Sequence, residues 1–202
     1  MQLNMKNKIS RRQLIRMAAI GSGSLLLLPG CTNLSTKSSW RYFTEKEASL
    51  AGFIVEQIIP TDEWLGARDA GVVNFIDKQL VGPLMRHQEK YRNGLAAVVT
   101  SCEKIYKKQF GELLWDEQTD FLKKMESGKL SGLLKGDKTE QGKQEPGLWA
   151  DGLDRAFFGL IRDHAMQGFY GSPRHGGNKN YVSYKMIGLD SPLIIGQNRY
   201  KI

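Results

Sequence analysis

Tyr91-Arg92-Asn93-Gly94-Leu95-Ala96-Ala97-Val98-Val99-Thr100-Ser101-Cys102-Glu103-Lys104-Ile105-Tyr106 is the stretch that decides the fold. Its residues Tyr91, Leu95, Val98, Val99, Cys102, Ile105 and Tyr106 follow one another at spacings of 4, 3, 1, 3, 3 and 1. Apolar side chains at that rhythm share one side of a 3.6-residue helix. The spacing predicts a helix over about 86–110, with Cys102 buried as a small hydrophobe.

Upstream, Thr44-Glu45-Lys46-Glu47 has the pattern of a capping box, with Thr44 as N-cap and Glu47 at the third helical position. The helix it opens runs to about Ile59, with Leu50, Ala51, Ile54, Val55 and Ile58 inward, and Pro60 ends it. In the loop that follows, Thr61, Asp62 and Glu63 bring two carboxylates together. A calcium ion needs six or more oxygens, so a turn is the simpler reading. A short helix over 72–81 places Val73, Ile76 and Leu80 inward.

Downstream, Asp116 is placed to cap a helix over 117–126 carrying Phe121, Leu122 and Met125, and Gly128 to terminate it. Residues 127–147 are rich in glycine and lysine and read as an exposed loop. A helix over 148–169 presents Leu153, Phe157, Leu160, Ile161, His164 and Ala165 on its face, and residues 181–187 form a last short helix before an irregular tail. Trp40, Trp64, Trp115 and Trp149 flank these helices, as interface anchors or as core. No segment alternates as a strand should. The fold class is mainly α, a single compact helical domain.

The N-terminus carries a different message. Arg11 and Arg12 precede an apolar run from Met17 to Leu28, and Leu28-Pro29-Gly30-Cys31 closes it. The twelve residues from Met17 to Leu28, two of them glycines, are too few for a spanning helix, which takes about 20. Paired arginines before a modest apolar run mark twin-arginine export, by which cargo crosses the membrane already folded. The small residue before Cys31 has the form of a lipoprotein cleavage site. The expected organisation is a signal peptide over 1–30, a polar tether over 31–41 from a lipidated Cys31, and the helical domain over 42–202. The expected location is the periplasm, anchored to a membrane by acyl chains.

Composition narrows the function further. Residues 1–30 hold five cations (Lys6, Lys8, Arg11, Arg12, Arg16) and no acid, so the formal charge of +8 falls to +3 from Cys31 onward. That is too little for a nucleic-acid partner. The 172 residues from Cys31 suffice for one domain with a real core. With Cys31 acylated, Cys102 has no partner for a disulfide. The two cysteines cannot hold an iron–sulfur cluster, no C-x-x-C-H attaches haem, and no G-x-G-x-x-G follows a strand. No catalytic residue, cofactor site or metal site is assigned to the chain.

Two local features stand out. His164 and His175 are eleven residues apart, which matches no standard pair of metal ligands; Asp163 is adjacent to the first. The plain reading makes His164 a core or interface histidine bonded to backbone. The turn Pro173-Arg174-His175-Gly176-Gly177-Asn178 combines two glycines, which permit positive φ and close approach, with a guanidinium fork suited to a carboxylate. Arg174, His175, Gly176, Gly177 and Asn178 are the candidate partner interface. The alternative is a tight turn packed on its own domain, with Arg174 bridging to Asp163 or Asp154.

Three segments in order carry a resemblance: Tyr42-Phe43-Thr44 leading to Ile58-Ile59-Pro60-Thr61-Asp62; the run Gly66 to Asp77; and Phe157 to His164, through Gly168-Phe169-Tyr170 and Pro173 to Asn178, to Lys185-Met186-Ile187-Gly188. Together they resemble the gluconate 2-dehydrogenase subunit 3 family, over about Tyr42 to Pro192. The resemblance implies the small, non-catalytic subunit of a membrane-bound sugar or sugar-acid dehydrogenase. The expected partner is a large subunit that holds FAD and oxidises the substrate, and in many such complexes a cytochrome c subunit passes electrons onward. A lipobox departs from the family pattern and makes this subunit itself a membrane anchor. The rival expectation is a self-sufficient periplasmic lipoprotein with a binding or hydrolytic site around Asp163, His164, Arg174 and His175.

Overall fold

The computed structural model describes residues 39–134, 148–149 and 152–189. The segment holding Arg11, Arg12 and Cys31, most of the tether, residues 135–147 of the 127–147 loop, residues 150–151 and the tail from residue 190 lie outside them. Among the described residues seven α-helices follow in order: α1 Glu45–Ile58, α2 Val72–Leu80, α3 Gln88–Tyr106, α4 Trp115–Glu126, α5 Lys129–Leu133, α6 Leu153–Tyr170 and α7 Val182–Met186. Short 3₁₀ turns join several of them. Among the described residues there is no strand, and no helix is long and apolar enough to cross a membrane.

α6 is the hub, packing against α1 to α5 and α7. Its residues Phe157, Ile161, Ala165 and Phe169 recur every four positions and are buried along one side, and α3 packs against it with Tyr91, Leu95, Val98 and Cys102 of the predicted stripe buried. Each large side chain so buried contributes about 1.5–3 kcal/mol. At the closest crossing, a Cβ on Gly94 would sit 2.4 Å from the Phe157 ring, so only glycine lets α3 approach.

The α1 capping box is present: the Glu47 N–H donates to Thr44 Oγ1 and the Thr44 N–H donates to Glu47 Oε2. The loop after α1 is a turn fastened to that helix. Glu56 accepts hydrogen bonds from the Thr61 N–H, the Thr61 hydroxyl and the Arg68 N–H, and Asp62 accepts from the Trp64 N–H. The chain before α1 is pinned to α2 by Asp77, only 2% exposed, which accepts the N–H groups of Arg41, Tyr42 and Phe43 at 2.8–2.9 Å.

Several expectations need correction. α3 starts at Gln88 and stops where Lys107 turns left-handed; Val99 (46% exposed) and Ile105 (36%) lie off the buried stripe. α4 is capped at Leu114, not Asp116. Glu117 reaches back to the Leu114 N–H at 2.8 Å, while Leu114 has no side-chain oxygen to offer. Gly128 (φ +73°) does end α4, but the following residues coil into α5 and bury Leu130 completely, so 127–147 is not all exposed loop. α6 begins at Leu153, later than residue 148, and Leu153 points outward. Its first turn is set by buried Asp154, which accepts the Ser131 N–H and hydroxyl and so ties α5 to α6.

Candidate functional site

The 171–181 segment leaves α6 and folds back between α2 and the end of α6. Gly176 has φ +106°, and its carbonyl accepts a hydrogen bond from Asn74 Nδ2 at 2.7 Å. A Cβ on Gly177 would lie 2.1 Å from the Gly168 carbonyl oxygen, so this glycine sits directly on the α6 backbone. Asn178 is fully buried. It donates to the Gly171 carbonyl and accepts the Ser183 N–H, which anchors the start of α7. Gly176, Gly177 and Asn178 are thus spent on internal packing. Arg174 and His175 point to solvent beside one another, Arg174 Nε donating to His175 Nε2 at 3.2 Å. The expected bridge from Arg174 to Asp163 or Asp154 does not form: Asp163 pairs with Arg162 and Asp154 with Ser131.

His164 has a different setting from the one expected. Its Nδ1 shares a hydrogen bond with the Tyr91 hydroxyl at 2.9 Å, so its partner is a phenol and not a backbone carbonyl. The Tyr91 ring stacks on it at 5.8 Å and the His87 ring meets it edge-on at 5.4 Å. Burial, then the charge of a protonated His87, push His164 down to about 4; Asp163 opposes and Arg86 assists. His87 is lowered by burial and then by Arg86 and Lys90. Tyr91 is raised well above the ordinary tyrosine value by burial. The cluster is therefore neutral at physiological pH. His87 accepts from Arg86 at Nε2, and its buried Nδ1 finds no partner among the described residues.

These observations divide the four residues of the rival site. Asp163 faces outward with Arg162, His164 faces inward with Tyr91, and Arg174 and His175 sit on the turn. His87 was missed by sequence reasoning, although it stands four residues before Tyr91 and therefore on the same helical side. Cys102 is buried, which pushes its thiol up to about 12 and makes it inert.

Another surface was also missed. A groove of about 610 Å³ runs between α3 and the N-terminal half of α6. Gly94 and Ala97 of α3, Gly159 and Leu160 of α6, and Trp149 line it, with Lys90, Arg155, Glu89 and Asp163 among the charged residues around them. Nothing lies within 4 Å of where a Gly159 Cβ would be. Trp149 is held by its Nε1–H donating to Ser101 Oγ at 2.7 Å. Small residues at these positions could have suggested the groove, but only the packing of α3 on α6 brings them together.

The family model described as gluconate 2-dehydrogenase subunit 3 matches residues 45–190. No curated protein and no solved structure matches the chain. The matched range contains every helix from α1 to α7 and the whole of the 171–181 turn. The chain belongs to the gluconate 2-dehydrogenase subunit 3 family, the small subunits of gluconate 2-dehydrogenase-like complexes.

Proposed function

We propose that this chain is the non-catalytic small subunit of a periplasmic, FAD-dependent sugar or polyol dehydrogenase. It binds and stabilises the flavin subunit, carries it through twin-arginine export and holds it at the membrane through a lipidated Cys31. FAD belongs to the large subunit, and a cytochrome c subunit completes the path to the membrane acceptors. The observation that carries the reading is the family match over residues 45–190, in a chain that opens with Arg11-Arg12 ahead of a short apolar run. A folded flavoprotein needs a folded-protein export route, and a bound partner can supply its signal.

The geometry supports a binding role over a catalytic one. Asp77 and Asp154 hold backbone together, and His164 is neutral and locked to Tyr91. The open groove between α3 and α6 is the surface we assign to the flavin subunit: an apolar floor with charged residues at its margin has the make-up of a protein interface.

The test is affinity purification of the tagged chain from its native membranes. A stoichiometric flavoprotein with sugar dehydrogenase activity should accompany it. Replacing Arg11 and Arg12 by lysine should remove that activity from the periplasm. Gly159→Leu, which fills the groove floor from an open position, should release the flavoprotein while leaving the helical circular dichroism unchanged. A chain that purifies alone and without flavin would overturn the reading.

A further inference from the structure

Lys78 is the one cation of α2, and the chain before α1, the turn that follows α2 and the 173–175 turn bring further cations to that helix. Asn74, Lys78 and Val81 recur at intervals of four and three residues and so share one side of the helix. The Gly176 turn lies over this side: a Cβ on Gly176 would come within 3.1 Å of Lys78 Nζ. The 3₁₀ turn Pro173–His175, which carries the exposed Arg174, therefore borders α2. Arg41 borders the same face, because its N–H donates to Asp77, the residue before Lys78. Beyond the end of α2, Met85 and Arg86 extend the surface; Met85 is 60% exposed and Val81 42%. The one carboxylate on α2, Asp77, is buried and fully occupied by backbone donors. Asp69 precedes α2 and Glu89 follows Arg86 in the chain, two carboxylates against the four cations Arg41, Lys78, Arg86 and Arg174.

We infer that this face, with Arg41, Lys78, Arg86 and Arg174 around Val81 and Met85, rests on the anionic headgroups of the bilayer that carries Cys31. The inference builds on the lipid-anchor reading above. Nine residues lie between Cys31 and Arg41, a reach of at most about 35 Å even when fully extended. An anchor at Cys31 thus keeps a membrane close to the edge where Arg41 sits. Acyl chains and a basic patch together hold a protein far more firmly than one acyl chain does. Each cation near an anionic leaflet strengthens binding about fivefold. The exposed Met85 and Val81 side chains supply apolar tips at the headgroup boundary.

The experiment is vesicle flotation with the full chain from residue 31 carrying Cys31→Ser, so that no acyl chain contributes. Phosphatidylcholine vesicles are compared with vesicles containing about 30 mol % phosphatidylglycerol. The expected result is binding to the anionic vesicles only, weakened by salt. Combined Lys78→Gln, Arg86→Gln and Arg174→Gln should lower it about a hundredfold. Combined Lys46→Gln, Lys104→Gln and Lys108→Gln removes the same charge elsewhere and should lower it far less. Circular dichroism and the thermal midpoint verify that both triple variants fold.

Three results would overturn the inference: no binding to anionic vesicles, equal losses in both triple variants, or loss of the flavin subunit with vesicle binding intact. The last would give the face to a protein partner. Mass spectrometry of Cys31 from native membranes tests the anchor separately. An acylated Cys31 with no vesicle binding sinks this inference alone, and an unmodified Cys31 with charge-dependent binding sinks only the anchor.

Discussion

α3 and the 171–181 segment both pack against α6, but by opposite means. α3 docks through side-chain volume: Tyr91, Leu95, Val98 and Cys102 are each no more than 1% exposed, and its backbone is satisfied within the helix. The 171–181 segment docks through its backbone, with Gly177 against Gly168 of α6 and hydrogen bonds that tie it to α2 and the loop before that helix. The Asn74 amide bonds the Gly176 carbonyl, the Lys179 N–H bonds the Ala70 carbonyl, and Asn178 bonds both Gly171 and Ser183. Gly176, Asn178, Asn180 and Tyr181 all have positive φ. A surface built on side-chain volume responds gradually to lost atoms. A backbone contact fails when a single atom is added.

The largest effect should therefore come from the smallest chemical change. Gly177→Ala places a methyl carbon 2.1 Å from the Gly168 oxygen. Neither partner is a flexible side-chain end, so the turn must lift off α6 and lose the bonds around it. A loss of about 3 kcal/mol is expected, lowering the thermal midpoint by roughly 10 °C. Hydrogen exchange should then show the Lys179 and Ser183 amides unprotected while the α3 amides keep their protection. A wild-type midpoint would mean that the segment is held by something other than this backbone contact.

Acid should act on the side-chain-packed seam instead. His164 ordinarily titrates near 6.5, and its folded value is pulled down to about 4, first by burial and then by His87. The folded state thus binds this proton less tightly than the unfolded state. Its contribution is fully present above about pH 6.5 and is lost as the pH falls toward 4, with a slope approaching about 1.4 kcal/mol per pH unit. Denaturant titrations across that range should show the slope in the unaltered chain and much less of it in His164→Gln. Tyr91→Phe should cost about 1 kcal/mol at neutral pH through its lost hydrogen bond and keep most of the slope. An identical slope in His164→Gln would place the acid sensitivity elsewhere.

The same contrast explains what could be read from the sequence. The α3 stripe, the Thr44–Glu47 capping box and the Gly128 stop are local patterns, and each was legible because its residues lie within a few turns of one another. α5 was not: with five residues and Leu130 as its single buried side chain, it has no periodicity to detect. Leu114 as a cap was hidden because the determining bond comes from Glu117, not from the cap's own side chain. The Arg174–Asn178 turn was legible as a turn. Its division into inward glycines and outward Arg174 and His175 was not, because Asn74, which fixes Gly176, lies 102 residues earlier in the chain. The α3–α6 groove and the set of cations around α2 exist only after packing, so neither had a local signature.

The mildest test separates two adjacent residues that the spacing alone placed on one stripe. Val98 is completely buried and Val99 is 46% exposed. Successive positions on an α-helix differ by about 100°, and the contact with α6 is narrow enough for only one of the pair to fit it. Val98→Ala removes two buried methyl groups and leaves a gap, costing about 2 kcal/mol. Val99→Ala removes atoms that already meet water and replaces a β-branched residue with the best helix former, so stability should hold or rise by about 0.5 kcal/mol. Equal losses at both positions in urea titrations would show that something else covers Val99, and the apolar stripe of α3 would be as wide as its spacing suggested.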